Sequence, residues 1–153
     1  MEAKMNKLYW KIYAILLFLL SKKTMGARAL VIQEDQILLV KHTYISGWCT
    51  IGGGIDPGES GVQALKRELM EEVGIELFEE PPLLGLYHNP KGKRDDYVVL
   101  YVCKKFKRHD NVTSPEILDS QWFSLHNLPP DIAPGTKRRI EEYLGTRPLS
   151  DKW

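Results

Sequence analysis

Three consecutive glycines, Gly52, Gly53 and Gly54, stand just before a helical stretch at residues 60–73, and this pairing constrains the fold more than any other feature. Glycine inside a helix or strand costs roughly 0.5–1 kcal/mol relative to alanine. A run of three therefore reads as a loop whose backbone can approach a ligand closely. Asp56-Pro57-Gly58 continues that loop chemistry. Within 60–73, Val62, Leu65, Leu69 and Val73 fall on one apolar stripe. Ser60 is placed to cap the helix start, and Gly74 followed by Ile75 to stop it.

The same helix carries an acidic face. Residues advance by about 100° each, so Glu68, Glu71 and Glu72 lie within roughly 100° of one another, beside the apolar stripe. Lys66 and Arg67 are expected to point elsewhere, leaving this arc without a counter-charge. Like charges three or four residues apart cost a few tenths of a kcal/mol per pair, on the order of 0.2–0.5. Glu71 and Glu72 also occupy the last turn, where the helix dipole disfavours anions by roughly 0.3–1 kcal/mol each. A bound cation would remove both penalties. Charge runs are often only solvated faces, but the short segment between glycines and helix lets both face one site. The ligands on offer are oxygens, with no His or Cys among them, which favours magnesium or manganese over zinc.

Around this unit the chain alternates strand and helix signals. Residues 27–32 and 36–42 are Val-, Ile- and Leu-rich runs broken by Gln33-Glu34-Asp35, the pattern of a β-hairpin. Residues 48–51 are short and extended. Residues 82–88, 97–106 and 117–123 read as strands, with 97–102 apolar enough to be central. Residues 134–144 form a closing helix ended by Gly145. The class is α/β or α+β with a mixed sheet.

A chain of 153 residues fits one such domain. Its formal net charge of +1 is too small to argue for bulk attraction to nucleic acid or anionic lipid. Cys49 and Cys103 make neither a disulfide framework nor a zinc site, and a reducing, cytoplasmic setting is the default expectation. Residues 8–20 are apolar apart from Lys11 and, as a helix, span about 20 Å against the roughly 30 Å of a bilayer core. Cleavage of a secretory signal after Ala29 would cut into the first strand. The expectation is an N-terminal helix within residues 1–24 that buries its apolar surface in a homodimer, followed by the domain at 25–153.

The spacing Gly53, five residues, Glu59, seven residues, Arg67-Glu68-Leu69, Met70, Glu71-Glu72, Val73, Gly74-Ile75 resembles the complete Nudix box, G-x5-E-x7-R-E-U-x-E-E-x-G-U, with U a bulky apolar residue. The wider resemblance runs from about residue 25 to 147, including Trp122-Phe123 and Leu128-Pro129. It implies the Nudix fold, a mixed central sheet between helices. It implies small-molecule substrates built as a nucleoside diphosphate linked to another group. By position, Glu68, Glu71 and Glu72 resemble the metal-binding carboxylates, and the carbonyl of Gly52 matches a backbone ligand. Glu59 and Arg67 resemble the pair that orients the helix. Ile51 departs from the proline that many members carry before the paired glycines.

The resemblance implies a base that takes a proton from the attacking water, either in the box or in a later loop. Glu116 is the candidate outside the box, with Asp119 second. Tyr44, Trp48 and His42 are candidate substrate contacts, as are Lys93 and Arg94 for phosphates. Pro90, fifteen residues after Ile75, resembles a marker of ADP-ribose-type members. The expected activity is magnesium- or manganese-dependent hydrolysis of a nucleoside diphosphate sugar. Cleavage of nucleoside triphosphates is the alternative, and a non-catalytic binding module is a third reading that the intact box opposes. Without a basic extension, cap cleavage on RNA is not favoured.

Overall fold

A computed structural model describes residue 12 and residues 23–90, 95–110 and 112–153. Apart from residue 12, the N-terminal helix expected at residues 8–20, and the homodimer expected through it, fall outside these residues. So do Lys93 and Arg94. Among the described residues no helix is long and apolar enough to cross a membrane.

The elements run β1 (Lys23–Gln33), β2 (Gln36–His42), β3 (Trp48–Cys49), β4 (Ile51–Gly54), α1 (Gly61–Val73), β5 (Ile75–Leu77), β6 (Leu83–His88), β7 (Asp95–Cys103), β8 (Phe106–Arg108), β9 (Ile117–Ser124) and α2 (Pro134–Tyr143). The main sheet has the order β3-β2-β1-β7-β6, with β4 also on β1 and β9 also on β2. β1 and β7 run parallel from Lys23↔Asp95 to Val31↔Cys103, while β1–β2, β1–β4 and β6–β7 are antiparallel. The sheet is thus mixed, as the spacing of elements indicated, and β7 is central, between β1 and β6.

Alternation along the strands explains why they read as unbroken apolar runs. Ala27, Ala29, Val31, Leu38 and Val40 face one core with Leu65, Leu69 and Val73 of α1. Leu30, Ile32, Ile37, Leu39 and Leu100 face a second core with Ile140 of α2. A sheet covered on both faces needs apolar residues at every position. Burying each large aliphatic side chain contributes about 1.5–3 kcal/mol.

Three expectations need correction. The glycines are not loop: Gly52, Gly53 and Gly54 pair with Arg28, Ala27 and Gly26 as the end of β4. Residues 97–106 are not one strand. β7 ends at Cys103, and Phe106–Arg108 leaves to pair with Ile75–Leu77 in a separate two-stranded sheet. The first strand also begins earlier than residue 27, at Lys23.

Candidate active site

The local sequence of α1 fixes its start and stop. The Ser60 side chain accepts the Gln63 N–H, and the Gln63 side chain accepts the Ser60 N–H, a reciprocal capping box. Gly74 takes the left-handed conformation (φ 67°) and donates its N–H to Met70 at 3.1 Å. Between these caps the apolar stripe locks the helix over the sheet, which turns Glu68 and Glu72 toward β4.

Two consecutive glycines receive the two carboxylates. Glu72 Oε2 accepts the Gly52 N–H at 2.9 Å. A Cβ at Gly53 would fall 2.4 Å from Glu68 Oε1, so the Glu68 carboxylate lies directly against that glycine. At Gly52 φ is 129° and a Cβ would meet the Ala27 carbonyl oxygen at 2.1 Å, so only glycine suits the position. Glu72 is buried. Its burial pushes the carboxyl up to about 7; the Gly52 N–H and the Arg28 charge oppose this, and the negative charges of Glu68 and Glu116 reinforce it.

Arg67 organises the acidic face. Its Nε and Nη2 each lie 2.8 Å from the two oxygens of Glu59, a bidentate pair, and Nη2 also donates to the Gly54 carbonyl at 3.1 Å. Hydrogen bonding to Arg67 holds the Glu59 carboxyl down at about 2. Arg67 Nη1 meets Glu68 Oε1 at 2.7 Å and approaches Glu71 at 3.6 Å. The arc therefore does have a counter-charge, contrary to the helical-wheel expectation. Arg67 borders the arc four residues before Glu71, and its long side chain swings over it.

These residues suit a hard divalent cation. The donor set is all oxygen, and the burial that raises Glu72 is a cost a cation would relieve. Among the described residues no three His, Cys, Asp or Glu side chains are already gathered as a ligand set. Glu68 is held by Arg67, Glu72 by the Gly52 N–H, and the Glu71 side chain is 60% exposed.

The other candidates divide. Glu116 brackets the site from the start of β9: its carbonyl accepts the Thr43 N–H at 2.9 Å, and its carboxylate lies 3.4 Å from the Tyr44 hydroxyl. Tyr44 is 64% exposed beside it. Asp119 pairs in register with Lys41 and is exposed. His42 is buried beside Glu72. It is 2% exposed, its Nδ1 is 3.8 Å from Glu72, and neither ring nitrogen has a hydrogen-bond partner. Burial, then the Arg28 charge, lowers its pKa, which favours the neutral ring. Trp48 is buried as well. It is buried edge-on to Phe123 at 4.8 Å between centroids, because its ring fills the second core. Pro90 is exposed and follows Asn89, which lines a neighbouring cleft.

Beside the glycines opens a cleft of about 520 Å³. Gly53, which lies against the Glu68 carboxylate, lines it with Gly54 and Arg28, and Thr24, Asn89, Asp96 and Trp153 line it farther along. Sequence reasoning missed Arg28, Asn89 and Trp153, since no local motif marks them. Strand pairing and the docking of residues 150–153 bring them together.

Comparison with known proteins gives a consistent picture. The family profile described as NUDIX domain matches residues 22–143. A Bacillus subtilis protein carrying the provisional name 8-oxo-dGTP diphosphatase is 32% identical over 121 residues, covering 78% of this chain and 79% of that protein. The NAD-capped RNA hydrolase NudC of Pseudomonas putida is 36% identical over 118 residues, covering 75% of this chain, which spans only 40% of that protein. Among solved structures, a MutT NUDIX hydrolase from Burkholderia pseudomallei superposes with a TM-score of 0.70 at 26% identity, covering 78% of this chain and 96% of that one.

Proposed function

The chain belongs to the NUDIX family, and from that premise we propose that it is a divalent-metal-dependent hydrolase cleaving the diphosphate linkage of a nucleoside diphosphate joined to a further group such as a sugar. One observation carries the reading: Glu68 and Glu72 lie against Gly53 and Gly52, and Gly53 also lines the cleft.

Glu68, Glu71 and Glu72 are the residues that would hold magnesium or manganese. Such an ion, when bound, neutralises the diphosphate and polarises phosphorus. Glu59 and Arg67 hold the helix and the Glu68 carboxylate in place. Arg28, in the cleft wall, supplies a guanidinium for a phosphate oxygen. Glu116 takes the proton of the attacking water. The products are a nucleoside monophosphate and the phosphate of the other group.

Pro90, next to the cleft-lining Asn89, supports a diphosphate-linked substrate. The name of the Bacillus subtilis relative favours a second reading, cleavage of a nucleoside triphosphate. Specificity constants for ADP-ribose, UDP-glucose, GDP-mannose and the deoxynucleoside triphosphates, under one magnesium condition, separate the two. A triphosphate preferred over every diphosphate-linked compound would select the second. Equal turnover in excess chelator would exclude both.

A further inference from the structure

The far wall of the cleft is built by a segment with no counterpart in the box. Residues 150–153 fold back onto the sheet edge and α2. The Trp153 N–H donates to the His88 carbonyl at 3.0 Å, and the His88 N–H donates to the Asp151 carbonyl at 2.7 Å. Arg138 and Arg139 donate to the carbonyls of Trp153 and Lys152, each at 2.5 Å. Arg139 is fully buried, 2.7 Å from Glu142, with its guanidinium 4.0 Å from the Tyr87 ring centroid. Glu142 in turn accepts the Ser150 N–H at 3.1 Å and the Tyr87 hydroxyl at 2.9 Å. Bonds from the sheet edge and from α2 thus converge on a short segment and hold one ring in a defined place.

That ring is the Trp153 indole. The Tyr87 ring meets it edge-on, 5.8 Å between centroids. Gly135 supports it closely, since a Cβ there would fall 2.4 Å from Trp153 Nε1. Trp153 lines the cleft, and the Arg139 guanidinium lies 5.7 Å from its ring centroid. Alongside it stand Asn89 and Asp96, joined by an Nδ2–Oδ2 hydrogen bond of 3.0 Å, and Thr24, whose hydroxyl donates to Asp96 at 2.7 Å. Thr24 and Arg28 are four positions apart on β1, or about 13 Å. The cleft thus has the Arg28 cation at one end, with Gly53, which lies against the Glu68 carboxylate. At the other it has a fixed indole beside an amide–carboxylate edge. A flat ring with polar edges, joined through a sugar to phosphate, matches both ends.

The geometry points to Trp153 as the platform on which the nucleobase of the substrate stacks, with Asn89 at the base edge. This rests on the nucleotide reading above and adds the residue that selects the ring. A merely structural Trp153 would hold residues 150–153 without touching substrate.

The test compares Trp153→Phe and Trp153→Leu in the full chain. Phe keeps an aromatic face, and Leu keeps apolar bulk without one. The expected result is a KM for ADP-ribose close to wild type in Trp153→Phe, and raised about 5- to 150-fold in Trp153→Leu, the range for losing one base–aromatic stack. The value of kcat changes far less, and both variants melt near the wild-type temperature. Titration with AMP quenches the fluorescence of wild type but not of Trp153→Phe, a readout that needs neither turnover nor a folded Leu variant. Unchanged KM in Trp153→Leu, or identical quenching in wild type and Trp153→Phe, overturns the platform. Metal-dependent hydrolysis with unchanged KM would leave the proposed activity standing. Quenching by AMP that is lost in Trp153→Phe, without hydrolysis of any nucleotide, would sink the activity and leave the platform.

Discussion

Glu72 reaches back from the last turn of α1 to accept the N–H of Gly52 at 2.9 Å, tying the helix to β4 through a buried carboxylate. That carboxyl is pushed up to about 7, chiefly by burial. A carboxyl raised above its unfolded value contributes to folded stability below the ordinary carboxylate range, and loses the contribution as pH rises through about 7. A divalent cation needs the deprotonated form. Magnesium should therefore raise the melting temperature more at pH 8 than at pH 5.5. Glu72→Gln should abolish that difference and lower turnover by about two orders of magnitude or more. Thermal melts at the two pH values, with and without magnesium, decide the matter; equal shifts would count against Glu72 as a ligand.

The three adjacent glycines should respond differently to alanine. Gly54 has nothing within 4 Å of where a methyl would stand, so Gly54→Ala should be close to neutral. A methyl at Gly53 meets the Glu68 carboxylate, a movable side chain, so Gly53→Ala should fold but lose activity at least about tenfold, on the order of 1.4 kcal/mol in the barrier. At Gly52 the obstacle is the Ala27 backbone, and φ is 129°, so Gly52→Ala should lower the melting temperature itself. Melting curves and kcat for the three variants, taken side by side, check the ranking.

Arg67 makes a planar bidentate contact with Glu59 and a third bond to Glu68. Lysine keeps the charge but not the fork. Arg67→Lys should lower kcat more than it lowers the melting temperature. Glu59, held at about 2 by this pair, contributes stability at ordinary pH that disappears as pH falls through about 2. If Arg67→Lys matched wild type in kcat, the orienting role would fail.

Arg139 and Glu142 form a buried ion pair at 2.7 Å. Removing one partner leaves the other charge buried, a loss of about 3–5 kcal/mol. Arg139→Met should be destabilised by that amount in urea unfolding. It should also free residues 150–153, so that proteolysis near Trp153 becomes faster than in wild type. Wild-type stability and cleavage rate would refute this.

Much of the fold rests on signals that act within a few residues. Leu65, Leu69 and Val73 repeat with the helical period, Ser60 and Gly74 stand where a helix starts and stops, and Glu59 lies eight residues before Arg67. Neighbours so close in the chain meet whenever the helix forms, so their spacing alone determined the helix, its acidic face and the family pattern. Arg67 was misjudged only because a wheel omits the reach of a long side chain. The burial of Trp48 against Phe123 and of His42 beside Glu72 joins residues far apart in sequence. Pairing of the glycines with β1, and the meeting of Thr24 with Asp96 and of His88 with Trp153, join residues far apart along the chain. Such contacts follow from sheet register and from the docking of one segment on another. No local period encodes them, so the cleft and its indole wall exist only once the chain has closed on itself.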